Sequence, residues 1–166
     1  EAAINAARES KAIISNENIK DALEKLTVGI IRKNDTRSYE TIKRVCIHEL
    51  GHAYLTATFS EYFNLKKVSI KSTYNGAGGY TLFGEKPEIV DGGMYTKDIL
   101  KKRIIIALGG KAAESIFYGD DFVSVGASND LMQANNLAKR MIGNYGMGDS
   151  LKTYYNTDSE GKNPFL

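Results

Sequence analysis

The two histidines of the chain, His48 and His52, lie four residues apart with Glu49 between them. On a helix, positions i and i+4 share one face, so both imidazoles can contact a single metal ion. The glutamate that follows the first histidine can reach a water on that ion and take a proton from it. The pattern His-Glu-Leu-Gly-His therefore predicts a zinc peptidase site with Glu49 as its general base.

A third protein ligand is needed as well, because a catalytic zinc ion normally takes three and keeps a fourth position for water. The chain has no third histidine. The metzincin pattern is excluded, because it requires glycine and histidine where the chain has Leu55 and Thr58. A carboxylate must then complete the set. Glu114 and Asp130 are the better candidates, since each lies on a predicted helix beside small residues, and the residues alone leave this choice open.

The composition is that of one ordinary domain. The 166 residues, 42% of them hydrophobic, can bury a real core, and the net charge of +2 gives no reason to propose nucleic acid as a partner. Cys46 is the single cysteine, which excludes an intramolecular disulfide, and we expect it to be a small core residue. No apolar run approaches the roughly 20 residues that span a bilayer, so we expect this chain itself to be soluble.

The apolar residues recur mainly at helical spacing, with one short stretch of alternation. Helices are predicted twice within residues 1–31, around the histidine pair, from a Thr96 cap to Leu108, from Lys111 to Phe117, and from a Ser128 cap to Gly143 or Gly146. Gly109 and Gly110 are predicted to interrupt the helix that follows Thr96. Two strands, near residues 67–71 and 80–83, are predicted to flank a glycine-rich segment, and the tail from Ser150 is polar.

Three further motifs follow the histidine pair along the chain. They are Gly-Gly-Tyr-Thr at 78–81, Leu-Gly-Gly-Lys-Ala-Ala-Glu at 108–114 and Gly-Ala-Ser-Asn-Asp-Leu at 126–131, and Tyr-Gly-Met-Gly at 145–148 extends the series. Together with His-Glu-Leu-Gly-His-Ala at 48–53, they resemble the peptidase domain of the FtsH-like ATP-dependent zinc metalloproteases, the membrane-anchored AAA+ proteases. Four separated motifs in the same order are far more specific than any one of them.

The resemblance implies a role for each candidate residue. His48 and His52 correspond to the two zinc-binding histidines, Asp130 to the third ligand and Glu49 to the catalytic base. Glu114 corresponds to a glutamate that supports the site without binding the metal, as metal-bound histidines generally require. The implied cofactor is Zn²⁺. Leu50 departs from the alanine usual in the family and is expected to face away from the metal.

The same resemblance implies a mainly α fold, a helical array with a small β-ribbon. It implies polypeptide substrates, unfolded or membrane proteins, which dock as an added strand near Val68 to Ile70. It also implies a homo- or hetero-hexamer tethered to an AAA+ ATPase module, with a full-length parent anchored in a bacterial, mitochondrial or chloroplast membrane. ATP binding is expected outside this sequence, which lacks a G-x-x-x-x-G-K-[ST] stretch.

A polar break near residues 32–37 is the predicted domain boundary. We expect residues 1–36 to be the end of the ATPase helical subdomain with its linker, and residues 37–166 to be the zinc metallopeptidase domain. The family continues with further helices, so the chain is expected to be a fragment. Two alternatives remain open: a proteolytically silent assembly module of the same fold, and an unrelated zinc peptidase in which Glu114 is the third ligand.

Overall fold

The computed structural model describes residues 1–148, so the polar tail predicted from Ser150 lies outside the described residues. Within residues 1–148 the chain is mainly helical, with one antiparallel strand pair, and the predicted fold class is confirmed. The elements are α1 (Ala2–Arg8), α2 (Asn16–Val28), α3 (Tyr39–Thr58), β1 (Phe63–Ser69), β2 (Tyr80–Glu85), α4 (Pro87–Gly92), α5 (Lys97–Tyr118) and α6 (Ser128–Gly143).

Helix α3 carries the histidine pair along its buried face. It begins after Ser38, whose hydroxyl accepts a hydrogen bond from the Thr41 amide at 3.2 Å, as an N-cap residue does. Glu49 and His52 are buried on this helix, whereas the side chain of Leu50 is exposed. The expectation that Leu50 faces away from the histidines is therefore confirmed.

Helix α5 runs without a break through Gly109 and Gly110, so the predicted interruption at these glycines is wrong. The reason is the contact between helices α3 and α5. A Cβ added at Gly51 would lie 2.3 Å from the Gly109 carbonyl oxygen. Each glycine destabilises its helix by about 1 kcal/mol relative to alanine. Because glycine has no side chain, however, the two helical backbones can come into direct contact.

The two strands form a hairpin beside α3. They pair antiparallel from Phe63 with Glu85 to Ser69 with Tyr80. Both are longer than the predicted strands, and β1 begins four residues earlier. Helix α4 was not predicted, because its six residues fall in the glycine-rich stretch; Pro87 occupies its first turn, where proline is tolerated.

Two apolar clusters hold α5 in the middle of the structure. Phe63, Ile89 and Ile106 belong to the cluster under the hairpin, and Leu100 packs with Met141 of α6 in the other. Because α5 packs on α3 and on α6, it fixes the position of α6 relative to the histidines. Among the helices of residues 1–148, none combines the length and apolar content needed to cross a bilayer.

Helix α6 begins at Ser128 as a helical residue rather than after it, so the prediction of Ser128 as the cap is wrong. A 3-10 turn, Val125–Ala127, leads directly into the helix, and the Ser128 hydroxyl donates to the Val125 carbonyl oxygen at 2.5 Å. The helix ends at Gly143, one of the two predicted ends. Asp130 lies in its first turn.

Candidate metal centre

His48, His52 and Asp130 meet at the junction of α3 and α6. The Nε2 atom of His48 lies 3.1 Å from Asp130 Oδ2, and the Nε2 atom of His52 lies 3.3 Å from the same oxygen. The two Nε2 atoms are 3.2 Å apart. The three atoms therefore form a nearly equilateral triangle, and within residues 1–148 these side chains form the cluster of His, Cys, Asp and Glu with metal-ligand spacing.

The triangle has nearly the size of one face of a zinc coordination tetrahedron. Zinc bonds of roughly 2.0 to 2.2 Å to nitrogen and oxygen in a tetrahedron place neighbouring ligand atoms about 3.3 to 3.6 Å apart. The separations of 3.1, 3.2 and 3.3 Å lie at or within about 0.2 Å of the lower end of this range. Two imidazoles and one carboxylate are also the ligand types of catalytic zinc sites with an open fourth position. His48, His52 and Asp130 could therefore form a zinc site.

The far side of each imidazole is held by a hydrogen-bond acceptor. His52 Nδ1 lies 2.7 Å from the carbonyl oxygen of Ile106, and His48 Nδ1 lies 2.8 Å from Glu114 Oε1. A carbonyl oxygen can only accept, so Nδ1 of His52 donates a proton there and, in a neutral ring, Nε2 keeps its lone pair. The same tautomer of His48 suits the Glu114 carboxylate. In this tautomer both Nε2 atoms of the triangle keep a lone pair that can bind a cation.

Glu114 is almost fully buried, with 1% of its surface exposed, and it is held by several donors. The Ser124 amide and hydroxyl donate to its oxygens at 2.9 and 3.0 Å, and the Arg44 guanidinium donates at 3.1 Å. Burial raises the pKa of Glu114, but these bonds and the one to His48 outweigh it and leave the pKa below its usual value. The carboxylate is therefore ionised and paired with Nδ1 of His48, on the opposite side of the ring from Asp130.

Sequence reasoning missed Arg44 and Ser124. Arg44 stands one helical turn before His48 on α3, and that spacing could have indicated it, since a buried carboxylate needs a cation or donors nearby. Ser124 lies in a segment predicted only as loop. No pattern in that segment indicates that its amide turns towards Glu114.

The charges of the three candidate ligands depend on one another. Burial raises the pKa of Asp130, but hydrogen bonds from His48 and His52 dominate and lower it to about 2. Burial lowers the pKa of each histidine, but the bonds to Asp130 and to Glu114 or Ile106 outweigh it and raise both values. Asp130 thus favours the protonated form of both histidines, and the two histidines favour the ionised form of Asp130.

Glu49 lies beside the triangle and is 6% exposed. Its Oε2 accepts a hydrogen bond from the Thr81 hydroxyl at 2.8 Å. Burial raises the pKa of Glu49, although the Thr81 bond and the neighbouring histidines act against the rise. A carboxylate with a raised pKa is a better proton acceptor near neutral pH than an exposed one. All five predicted site residues therefore lie together, and Thr81 joins them without having been predicted.

Comparison with known proteins agrees with this geometry. The model of Peptidase family M41 matches residues 35–166. The chain is 39% identical over all 166 residues to the chloroplastic ATP-dependent zinc metalloprotease FTSH 5 of Arabidopsis thaliana, of which it covers 23%. It is 37% identical over 151 residues, 91% of the chain, to the ATP-dependent zinc metalloprotease FtsH 3 of Synechocystis, of which it covers 24%.

A chloroplastic ATP-dependent zinc metalloprotease FTSH of Capsicum annuum is also 39% identical over the whole chain, which covers 25% of it. The chain thus spans about a quarter of the length of these curated relatives. The matched segment, residues 35–166, contains all four motifs quoted above. The chain belongs to Peptidase family M41.

Proposed function

We propose that the chain is the peptide-hydrolysing domain of an FtsH-type ATP-dependent protease, with one Zn²⁺ held by His48, His52 and Asp130. The observation that carries this proposal is the triangle of ligand atoms with sides of 3.1 to 3.3 Å. Glu114 is not a ligand in this proposal, because its carboxylate binds Nδ1 of His48, away from the triangle. The unrelated peptidase with Glu114 as ligand is correspondingly disfavoured.

The proposed chemistry is hydrolysis of a peptide bond by water. When bound, zinc supplies Lewis-acid polarisation of the scissile carbonyl and lowers the pKa of its water towards about 7. The Glu49 carboxylate takes a proton from the attacking water as the new carbon–oxygen bond forms. It then returns that proton to the amine nitrogen as the carbon–nitrogen bond breaks. Glu114 keeps His48 in the orientation and tautomer that ligation requires.

The strand pair offers a docking edge for an extended polypeptide. Within the described residues the sheet has two strands, so each strand has one side without a strand neighbour. An added chain can hydrogen-bond to such a side through its backbone. We propose that substrate docks near Val68 to Ile70, on the hairpin whose other strand contacts Glu49 through Thr81.

The relatives are named ATP-dependent, and the chain covers about a quarter of them. We propose a hexamer, homo- or heteromeric, in which an AAA+ module delivers unfolded or membrane proteins to this site, with a membrane anchor elsewhere in the longer protein. Residues 1–36 form the end of the ATPase helical subdomain with its linker, and residues 37–166 form the peptidase.

Replacing Glu49 with Gln tests the function. The variant keeps the size of the side chain but cannot take a proton, so peptide hydrolysis by the ATPase-containing protein should be abolished while one zinc per chain is retained. Elemental mass spectrometry measures the zinc. Glu40→Gln, an exposed position at the start of the same helix, is the matched control and should keep full activity.

Turnover retained in Glu49→Gln would disprove the role of Glu49. The silent assembly module of the same fold predicts a different result, namely a folded wild-type protein without hydrolysis even with zinc bound. It is not favoured, because a purely structural relative has no chemical need for Glu49 beside the histidines.

A further inference from the structure

Thr81 reaches the general base from the strand that borders the site. Its hydroxyl oxygen lies 2.8 Å from Glu49 Oε2 and 3.0 Å from the Glu49 backbone oxygen. Thr81 is half-buried and pairs with Val68 in the hairpin. The contact therefore connects helix α3 to strand β2 at the residue that is proposed to move the proton.

The backbone before Thr81 is unusually close to the same glutamate. A Cβ added at Gly79 would lie 3.0 Å from Glu49 Cγ, and 2.7 Å from both Val45 Cγ1 and the Ser69 carbonyl oxygen. No side chain fits there without displacing the strand. Glycine at position 79 thus lets β2 approach α3 closely enough for the Thr81 hydroxyl to reach Glu49.

The face of strand β2 opposite to Thr81 is also fixed by contacts with the rest of the structure. Successive side chains of a strand point to opposite faces, and Tyr80, which is buried, donates its hydroxyl to the carboxylate of Glu24 on α2. Lys67 of β1 pairs with that carboxylate at 2.6 Å. Contacts on both faces fix the start of β2, so the Thr81 hydroxyl is presented from a rigid support rather than from a mobile loop.

We infer that Thr81 is a positioning residue that orients the Glu49 carboxylate. The inference rests on the proposed function of Glu49. A hydroxyl that donates to Oε2 restrains the side-chain rotation of the glutamate and leaves Oε1 free for the attacking water. The hydroxyl proton is not transferred; it holds the carboxylate in one orientation while Glu49 takes and returns the proton of the water.

Thr81→Val tests the inference, because valine keeps the shape and removes the hydroxyl. In the zinc-loaded, ATPase-containing protein we expect kcat for a peptide to fall about tenfold or more, since a hydrogen bond to a charged group is lost. KM and the zinc content should stay the same. Thr81→Ser should restore kcat to within about threefold of wild type, because it returns the hydroxyl without the methyl group.

A second readout does not depend on turnover. The hydroxyl of a peptide hydroxamate is a donor to the general base when the inhibitor binds the metal, so its affinity, measured by calorimetry, should weaken in Thr81→Val and recover in Thr81→Ser. Thr58→Val is the matched control. It makes the same change at the exposed end of α3, where the hydroxyl donates to the Tyr54 carbonyl oxygen, and should change neither kcat nor the inhibitor affinity.

Unchanged kcat in Thr81→Val, with Glu49→Gln inactive, would overturn the positioning role and leave the proposed function intact. Loss of zinc or of folded protein in proportion to the loss of activity, in both Thr81→Val and Thr81→Ala, would also overturn it, because Thr81 would then be a structural residue. A failure of the proposed function itself is distinguishable, since either the zinc-loaded wild-type protein would not hydrolyse peptides or Glu49→Gln would remain active.

Discussion

Gly110 lies directly against the imidazole of His48. A Cβ built on Gly110 would be 2.5 Å from Nε2 and Cε1 of that ring and 2.6 Å from Nε2 of His52. These are the nitrogen atoms proposed to bind zinc. The absence of a side chain at position 110 therefore makes room for the two rings and for the ion between them.

Replacing Gly110 with Ala should consequently impair the metal site. The added methyl group must displace at least one imidazole, so we expect zinc binding to weaken by at least tenfold and the unfolding free energy to fall by about 1 to 3 kcal/mol, as overpacking usually costs. Competition with a chromogenic chelator and thermal unfolding measure the two effects. Gly84→Ala is the control, since its Cβ would meet only the flexible end of Lys66. Unaltered zinc affinity in Gly110→Ala would contradict the geometry.

Loss of the Asp130 carboxylate should cost more bound zinc than loss of the Glu114 carboxylate. Removing its carboxylate in Asp130→Ala leaves two protein ligands, so we expect zinc per chain to fall from one to well below one after dialysis. Elemental mass spectrometry on the wild-type protein and on Asp130→Ala measures the zinc content per chain. Asp98→Ala, which removes an exposed carboxylate paired with Lys102, should keep one zinc. One zinc retained by Asp130→Ala would exclude Asp130 as a ligand.

Glu114→Gln should weaken zinc without abolishing its binding. The substitution removes the negative charge that pairs with Nδ1 of His48 and leaves Arg44 without its ionic partner. Loss of such outer partners typically costs about 10- to 100-fold in metal affinity. Calorimetric titration with zinc measures this loss of affinity. A larger loss than in Asp130→Ala would instead support the reading in which Glu114 is the ligand.

Zinc affinity should depend steeply on pH, because the metal binds neutral imidazole. In the metal-free protein burial lowers the pKa of His48 and His52, but the Asp130 bonds prevail and both pKa values are raised above 6.5. Protons therefore compete with zinc, and affinity should fall by up to about a hundredfold per pH unit once both rings are protonated. Titrations between pH 8 and 6 measure this, and a flat profile would contradict it.

The metal-free protein should show the opposite trend in stability. A raised histidine pKa adds stability that is fully present below the unfolded pKa of about 6.5 and is lost as pH rises through the higher folded value. Its unfolding temperature should therefore decrease from pH 6 to pH 8. The zinc-loaded protein, in which the rings are already deprotonated, is the control and should not show this decrease.

Much of the site was predictable because its chemistry needs few residue types. Two histidines with a glutamate at the correct spacing fix one helix, and the resemblance of the motif that contains Asp130 indicates the proposed third ligand. Helix capping by Thr96 was predicted correctly, since a single side chain and one amide decide it. The continuous α5 was not predicted, because the propensity of Gly109 and Gly110 is local, whereas the contacts that require them, with Gly51 and with His48, come from another helix.

The residues that sequence reasoning missed act through contacts between different elements. Thr81 and Arg44 bind partners 32 and 70 residues away in the chain, and Ser124 binds one 10 residues away. The types of Thr81 and Ser124 are ordinary on a strand and in a loop, so only the tertiary arrangement distinguishes them, whereas the spacing of Arg44 from His48 was a usable signal. The short helix α4 was not predicted for a local reason, since six residues in a glycine-rich stretch are too few to show helical periodicity.

The wide sequence separation of the proposed ligands has a consequence for the synthesis of this protein. His48 and Asp130 are 82 residues apart, and α5, which packs on both α3 and α6, lies between them in the chain. At translation speeds of roughly 5 to 20 residues per second, that separation corresponds to about 4 to 16 seconds of elongation. On the proposed mechanism, a nascent chain carries the histidines and Glu49 throughout this time without a complete zinc site. The order of the elements therefore delays completion of the proposed zinc site until Asp130 has been synthesised.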